Sequence, residues 1–166
     1  MIGKKVILRV RFGVHDARPS GELVDGARLL SLFGDLAAEL SIHLDGDEGI
    51  LHGYESVELL APVFVGDYVE ATAELLSVGE TTRKLRFEAV KVVSNLRSPG
   101  LPPSAAEPLP EPIVVCRAVG STMTPKEMQR KPRALYVPQL PVGEPPGQEP
   151  VVTPETGEPR TLTSRG

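Results

Sequence analysis

The longest apolar stretch of the chain, residues 23–44, repeats with a helical period and constrains the fold more than any other feature. When successive residues are placed about 100° apart, one face of this stretch is apolar and rich in small side chains. That face consists of Leu23, Gly26, Leu30, Phe33, Gly34, Ala37, Ser41 and Leu44. The ionisable residues fall in a narrow opposite arc, namely Asp25, Arg28, Asp35, Glu39 and His43. The flanks are also apolar, which predicts a helix that is buried on most sides and carries one polar stripe.

Around this helix lie stretches in which apolar and polar residues alternate, as they do in half-buried strands. These stretches are residues 5–12, 54–60, 68–78, 82–93 and 113–122. One strand precedes the helix and four follow it, mostly through short turns. This order predicts an α+β protein with an antiparallel sheet wrapped around one long central helix, which is the hotdog fold.

Proline placement sets the domain boundary, because proline lacks the N–H group that helices and central strands require. Eight of the 17 prolines lie in the last 36 residues, and six more lie between Pro99 and Pro112. Residues 131–166 are therefore predicted to form an extended or disordered proline-rich tail, and residues 96–112 a loop between two strands. Residues 1–130 are predicted to form one domain.

Charge and cysteine content exclude several classes of protein. With 18 basic and 22 acidic residues, the formal net charge is -4, so no basic excess favours nucleic acid or an anionic membrane. The sequence begins without the long apolar run of a signal peptide or a spanning helix. The lone cysteine, Cys116, excludes an internal disulfide framework and indicates a cytoplasmic protein. Its position in an apolar run indicates a small core residue rather than a nucleophile.

Two segments resemble the hotdog acyl-CoA thioesterases. Residues 16–26, DARPSGELVDG, are similar to the pattern D-A-N-x-x-G-N-L-F-G-G that precedes the helix in that family. Residues 57–67, VELLAPVFVGD, and the VGETTRK of residues 78–84 resemble its strand motifs F-x-x-P-V-x-V-G-D and V-G-x-T-S. The resemblance implies a domain that binds acyl-CoA. Arg18 departs from it, because the thioesterases have at that position an asparagine that polarises the thioester carbonyl.

A narrower resemblance is to the β-aminoacyl-CoA ammonia-lyases, which act on 3-aminobutyryl-CoA in lysine fermentation and on β-alanyl-CoA. It is carried by HDA at residues 15–17, LVDGAR at 23–28, FGD at 33–35, DGDEG at 45–49 and PIVVCRA at 112–118. It implies reversible loss of ammonia to give an enoyl-CoA such as crotonyl-CoA. It also implies no metal and no permanently bound cofactor, because coenzyme A arrives as part of the substrate. An acyl-CoA thioesterase and a non-catalytic acyl-CoA-binding module are the alternatives.

Elimination of ammonia next to a thioester needs a base for the acidified proton, donors for the enolate oxygen, and a partner for the amine. The catalytic candidates are Asp35, His15, Asp16 and Glu39. Gly21 and Gly26 allow a ligand to approach the backbone where the helix begins. The substrate ammonium could be held by Asp35 and Glu39, or by the acidic loop that contains Asp45, Asp47 and Glu48.

Coenzyme A carries phosphates, for which basic side chains at the mouth of the cleft are needed. The candidates are Arg83, Lys84 and Arg86, with hydroxyl contacts from Thr81 and Thr82. The alternative is that these charges form only the solvated face of a strand.

For all four catalytic candidates the sequence also allows a purely structural role. His15 could be an ordinary loop histidine, and Glu39 could be solvated or paired in a salt bridge. Asp16 could brace a turn, and Asp35 could pair with Arg28 or Lys84.

The 45–49 loop lacks the ligand spacing of a calcium site and is read as a turn that ends the helix.

A hotdog monomer exposes sheet edges and half a ligand cleft, so a homodimer or a multiple of dimers is expected.

Overall fold

The computed structural model describes residues 1–130, in which one strand precedes a long helix and four strands follow it, as predicted. The elements are β1 (Lys5–Arg11), α1 (Gly26–Asp45), β2 (Ile50–Leu59), β3 (Tyr68–Val78), β4 (Thr82–Asn95) and β5 (Ala106–Met123), with short 3₁₀ turns at Val14–Asp16 and Lys126–Met128. No helix in this range is long and apolar enough to cross a membrane. The predicted tail, residues 131–166, lies outside the described residues.

The five strands form one antiparallel sheet in the order β1-β3-β4-β5-β2. The helix α1 packs on one face of this sheet, and the Phe33 ring stacks on Phe87 of β4 with 5.0 Å between the ring centroids. Alternate residues of β3 and β4 are fully buried beneath it, Leu75 and Leu85 among them. This is the predicted hotdog arrangement, because a single sheet face and a single helix supply the core.

The helix begins three residues later than the hydrophobic period predicts. Asp25 has an extended backbone and its carboxylate accepts the N–H of Ala27 at 3.2 Å, so Asp25 is the N-cap. The two preceding residues are extended, since Val24 pairs with Ala17 and Leu23 with Phe64. They still supply apolar surface, which explains why the period includes them. At the other end, Gly46 takes a left-handed conformation with φ of 68° and ends the helix, as predicted from the 45–49 loop.

The predicted loop over residues 96–112 is wrong in its second half, because β5 begins at Ala106. Pro108, Pro110 and Pro112 occupy alternate positions, so their missing N–H groups all lie on one side of the strand. β4 pairs with β5 as far as Pro108 and again from Ile113, with an irregularity between these positions, and β2 reaches β5 only from Cys116 onward. The prolines are therefore tolerated along a stretch of β5 that has one neighbouring strand.

Candidate active site

A cavity of about 360 Å³ lies where α1 begins. Its walls come from the segment before the helix, the first turn of the helix, and the chain that leaves β2. The lining residues are Arg18, Leu23, Val24, Gly26, Leu29, Leu59, Leu60, Ala61, Pro62 and Val63. The lining is mainly apolar and includes one cationic side chain, as expected of a site for a small polar group on an apolar arm.

Gly26 brings the helix backbone to the cavity wall. A Cβ at this position would lie 2.6 Å from Cδ1 of Leu59, so a larger residue would displace the Leu59 side chain. As the first residue of α1, Gly26 also presents a backbone N–H for which no acceptor is found within residues 1–130. Such a donor, at the positive end of a helix dipole, suits a developing oxyanion. The structure thus places the predicted Gly26 where a ligand can meet the backbone.

Arg18 is the site residue that sequence reasoning did not select. Its backbone is fixed by a hydrogen bond from its N–H to the carbonyl of Leu23 at 2.8 Å. Its exposed side chain lines the cavity, and within residues 1–130 the guanidinium has neither an ion pair nor a hydrogen bond. The available signal was the departure from the thioesterase pattern, in which this position carries asparagine.

The fully buried carboxylate of Asp67 stabilises the segment after β2, which lines one side of the cavity. Asp67 accepts the N–H of Phe64 at 2.9 Å and pairs with Lys91, also at 2.9 Å. The Lys91 ammonium in turn donates to the carbonyl of Pro62 at 2.8 Å. The V-G-D motif that ends at Asp67 therefore fixes the backbone that lines the cavity.

Asp16 braces the turn that leads into the helix. Its carboxylate accepts the N–H of Gly13 at 2.9 Å and lies 3.4 Å from Arg28. Arg28 also donates to the carbonyl of His15 at 3.2 Å, while the His15 side chain is exposed. These contacts match the bracing role that the sequence left open for Asp16. Both predicted residues lie beside the start of the helix, but neither lines the cavity.

Asp35 and Glu39 lie on the polar stripe, away from the cavity of their own chain. Nine residues at about 100° each place Asp35 about 180° around the helix from Gly26. Glu39 approaches His43 at 3.7 Å, whereas Asp35 is exposed and has no partner within residues 1–130. Neither expected partner reaches Asp35, because Arg28 pairs with Asp16 and Lys84 with Glu55. One chain therefore does not bring this carboxylate to the first turn of its own helix.

Arg83, which was predicted to bind the coenzyme A phosphates, is engaged in contacts within its own chain. Its guanidinium is buried and contacts the carboxylate of Asp45 at 2.6 Å, and it also donates to the carbonyls of Gly79 and Thr82. Asp45 ends α1, and a helix of 20 residues is about 30 Å long, so this pair lies far from Gly26. Arg83 and Asp45 therefore form a buried ion pair, and neither side chain lines the cavity of its own chain.

The other predicted basic residues lie on the sheet face opposite α1. Lys84 pairs with Glu55 at 2.8 Å, and Arg86 lies 3.7 Å from Glu74. Thr82 is exposed at the start of β4, on the same outer face. None of the three lines the cavity of its own chain, which matches the alternative of a solvated strand face.

Asp47 and Cys116 have structural roles. Asp47 accepts the N–H of Gly49 at 2.9 Å, as expected of a turn that ends the helix. Cys116 is buried, and burial raises the pKa of its thiol to about 11, in agreement with a core residue. Residues 1–130 contain no group of three or more metal-ligating side chains.

Known ammonia-lyases are similar to this chain in sequence and structure. No protein-family model matches it. The 3-aminobutyryl-CoA ammonia lyase of Acetoanaerobium sticklandii is 50% identical over 127 residues, which cover 76% of this chain and 99% of that relative. The solved structure of β-alanyl-CoA:ammonia lyase from Clostridium propionicum is 34% identical, with a TM-score of 0.76. That match covers 81% of this chain and 94% of the other.

Thioesterases share the fold at lower identity. A hexameric thioesterase from Yersinia pestis is 18% identical with a TM-score of 0.58, and the match covers 75% of this chain and 89% of the other. At that identity the likeness shows the hotdog fold alone. The identity to the lyases spans nearly their full length, and it confirms the narrower of the two resemblances read from the sequence. This chain therefore belongs to the family of β-aminoacyl-CoA ammonia-lyases.

Proposed function

We propose that the protein eliminates ammonia from a short β-aminoacyl-CoA, such as 3-aminobutyryl-CoA, to give an enoyl-CoA such as crotonyl-CoA. The observation that carries the proposal is 50% identity over 99% of a 3-aminobutyryl-CoA ammonia lyase. The cavity at the start of α1 supports it, because its apolar walls suit a short acyl chain and its donors suit a thioester oxygen.

The thioester carbonyl accepts hydrogen bonds at the first turn of α1. The N–H of Gly26 and the guanidinium of Arg18 both line the cavity, and within residues 1–130 neither has another partner. Removal of the proton beside the carbonyl moves negative charge onto the carbonyl oxygen, which these two donors stabilise. Arginine adds a full positive charge where a thioesterase has a neutral amide.

A carboxylate moves the proton. In the elimination a base takes the proton from the carbon next to the carbonyl, and the electron pair forms the new double bond. The C–N bond then breaks, and its electrons leave with the nitrogen as ammonia. Asp35 is our choice for the base, because its carboxylate is unpartnered within residues 1–130. Glu39, one turn along the same stripe, stabilises the amine as an ammonium ion, and His15 and Asp16 lie close to the helix start.

A second copy of the chain completes the site. β2 is an edge strand, and its Val57 and Leu59 side chains are 40% and 60% exposed. Beside it, α1 presents a half-exposed apolar row that includes Leu30, Gly34 and Ile42. Pairing through this edge would bury both features and bring the polar stripe of one chain to the cleft of another. Known hexameric thioesterases of this fold support a homo-oligomer.

We place this activity in amino acid catabolism, lysine fermentation included, and in the cytoplasm. A reducing compartment suits a chain whose single thiol, Cys116, is buried and has no disulfide partner. Coenzyme A enters only as part of the substrate, and no resident cofactor or metal is needed for the chemistry above.

A paired assay tests the proposal. The purified protein is mixed with crotonyl-CoA and ammonium, and the enoyl absorbance and free thiol are followed together. The enoyl absorbance should fall without release of thiol. Thiol release would instead establish a thioesterase, and binding without either change would establish a non-catalytic module; both results would overturn the proposal.

Arg18→Asn gives a matched variant, because it restores the residue found in the thioesterases. We expect lyase turnover to fall about ten- to a hundredfold through loss of one charged donor. Arg117→Asn is the control, since Arg117 is exposed and pairs with Glu88 on the outer face of the sheet. Equal turnover in the two variants would remove Arg18 from the site.

A further inference from the structure

A second cavity of about 380 Å³ adjoins the first. The two cavities lie close together, because Leu23 and Val63 line the first while their near neighbours in the chain, Glu22 and Val65, line the second. The other side of the second cavity is formed by residues 97–103, in the loop between β4 and β5. A ligand whose acyl end fills the first cavity can thus extend into a second cavity that is open to solvent on its loop side.

Arg97 is held in a fixed orientation inside this second cavity. Its φ of 47° makes it the one non-glycine residue with a positive φ among residues 1–130. A left-handed backbone persists at such a residue only where the surroundings enforce it. Here the Asn95 side chain accepts the Arg97 N–H at 3.1 Å and donates to the carbonyl of Pro103 at 3.0 Å. The buried Asp67 accepts the N–H of Asn95 at 2.9 Å, so one carboxylate fixes walls of both cavities.

The Arg97 guanidinium is positioned to receive an anion. It lies over the Phe64 ring at 4.2 Å, which fixes its plane. Its Nη2 pairs with the carboxylate of Glu22, while within residues 1–130 its Nε and Nη1 donate to no other group. A planar guanidinium with free donors suits phosphate oxygens. Glu22 is the competing anion, and it is largely exposed.

We infer that this second cavity binds the nucleotide end of coenzyme A, with Arg97 on its phosphates and the adenine against the apolar wall of Leu101 and Pro102. The inference rests on the proposed function for the identity of the ligand. The cavity volume falls in the range of pockets that hold ligands of nucleotide size. Arg97 supplies the charge that Arg83, Lys84 and Arg86 do not bring to this side of the molecule.

Calorimetric titration with adenosine 3′,5′-bisphosphate tests the site without any turnover. We expect Arg97→Ala to weaken binding about ten- to a hundredfold, because it removes a charge-assisted contact. Arg117→Ala, on the outer face of the sheet, should bind as the wild type does. Glu22→Gln should tighten binding, since it removes the carboxylate that competes for Arg97. Wild-type affinity in Arg97→Ala would overturn the inference.

A second variant tests the same cavity without removing Arg97, because Arg97→Ala could also change the conformation of the loop. Ser98→Glu leaves Arg97 in place and adds a carboxylate at an exposed position of the cavity wall, so binding should again fall. Unchanged binding in this variant would overturn the inference as well.

Kinetics separate this inference from the proposed function. With crotonyl-CoA, Arg97→Ala should raise KM and leave kcat near the wild-type value. With crotonyl-pantetheine, which lacks the nucleotide, wild type and variant should be equal. If ammonia addition occurs and KM for crotonyl-CoA does not rise in the variant, the inference fails while the function stands. If the wild type binds the nucleotide but adds no ammonia, the function fails while the site stands.

Discussion

At the scale of single residues, Asp35 is the proposed base, and its side chain is exposed. It lies in a mainly apolar helix, and within residues 1–130 it has no ion pair and no hydrogen bond. Glu39 lies one turn further along the same polar stripe, so two acidic side chains lie close together on this face of the helix. A base that acts on a substrate needs such freedom from structural partners.

Asp35→Asn should therefore reduce turnover by about two to four orders of magnitude and leave the fold unchanged. The amide keeps the shape of the side chain but cannot take a proton. Glu127→Gln is the control, because Glu127 is an exposed acid in the turn Lys126–Met128. Initial rates of ammonia addition and thermal unfolding of both variants provide the measurement. Near-normal turnover in Asp35→Asn would show that another group is the base.

Cys116 should be unreactive in the folded protein. Burial raises the pKa of its thiol to about 11, so the thiol stays protonated below that pH. At pH 8 only about one thiol in a thousand is then ionised, and the thiolate is the reactive form. A thiol-reactive dye should label native protein slowly and denatured protein completely. Rapid labelling of native protein would contradict this burial and would also disturb the free-thiol assay.

At the scale of secondary structure, the sequence predicts what depends on local pattern. The period of 23–44 and the alternation of the five strands predict the long helix and all five strands, whereas the two short 3₁₀ turns are not predicted. The start of β5 is missed, because proline tolerance at Pro108 depends on which side of the strand lacks a neighbour. That neighbour, β2, lies far away in sequence.

The burial of Arg83 could not be predicted for the same reason. Alternation along β4 already separates it from Lys84 and Arg86, since successive residues face opposite sides of a sheet. The local pattern could not reveal that the inward position faces Asp45, which is 38 residues away at the end of α1. The predicted phosphate cluster thus joined one buried structural residue to two residues on the outer face.

The Arg83–Asp45 ion pair, which joins α1 to β4, should contribute strongly to the stability of the fold. Arg83→Met would leave the Asp45 carboxylate buried without its partner, at a cost of about 3–5 kcal/mol in the free energy of unfolding. Arg86→Met removes an exposed arginine of the same strand and should cost less than about 1 kcal/mol. Urea unfolding of both variants measures the difference. Similar midpoints would mean that Asp45 is solvated rather than buried.

At the scale of the whole molecule, the catalytic groups are divided between two faces of α1. Arg18 and Gly26 line the cavity, whereas Asp35 projects about half a turn away from it. The sequence could list these residues but could not show this separation, because it depends on how α1 sits on the sheet. A site that uses both sets within one reaction therefore requires the polar stripe of a second chain.

Complementation between variants tests this division directly. If Arg18 and Asp35 act from different chains, a mixed dimer of Arg18→Asn and Asp35→Asn contains one site with both residues intact. Random pairing of equal amounts of the two chains should then restore intact residues in about a quarter of all sites. Co-expression of the two chains, followed by turnover assays and native mass spectrometry to count mixed dimers, gives the measurement. If mixed dimers form and turnover stays at the mean of the two variants, Arg18 and Asp35 do not meet in a shared site. Asp35 would then have to reach substrate from its own chain, across the helix on which it stands.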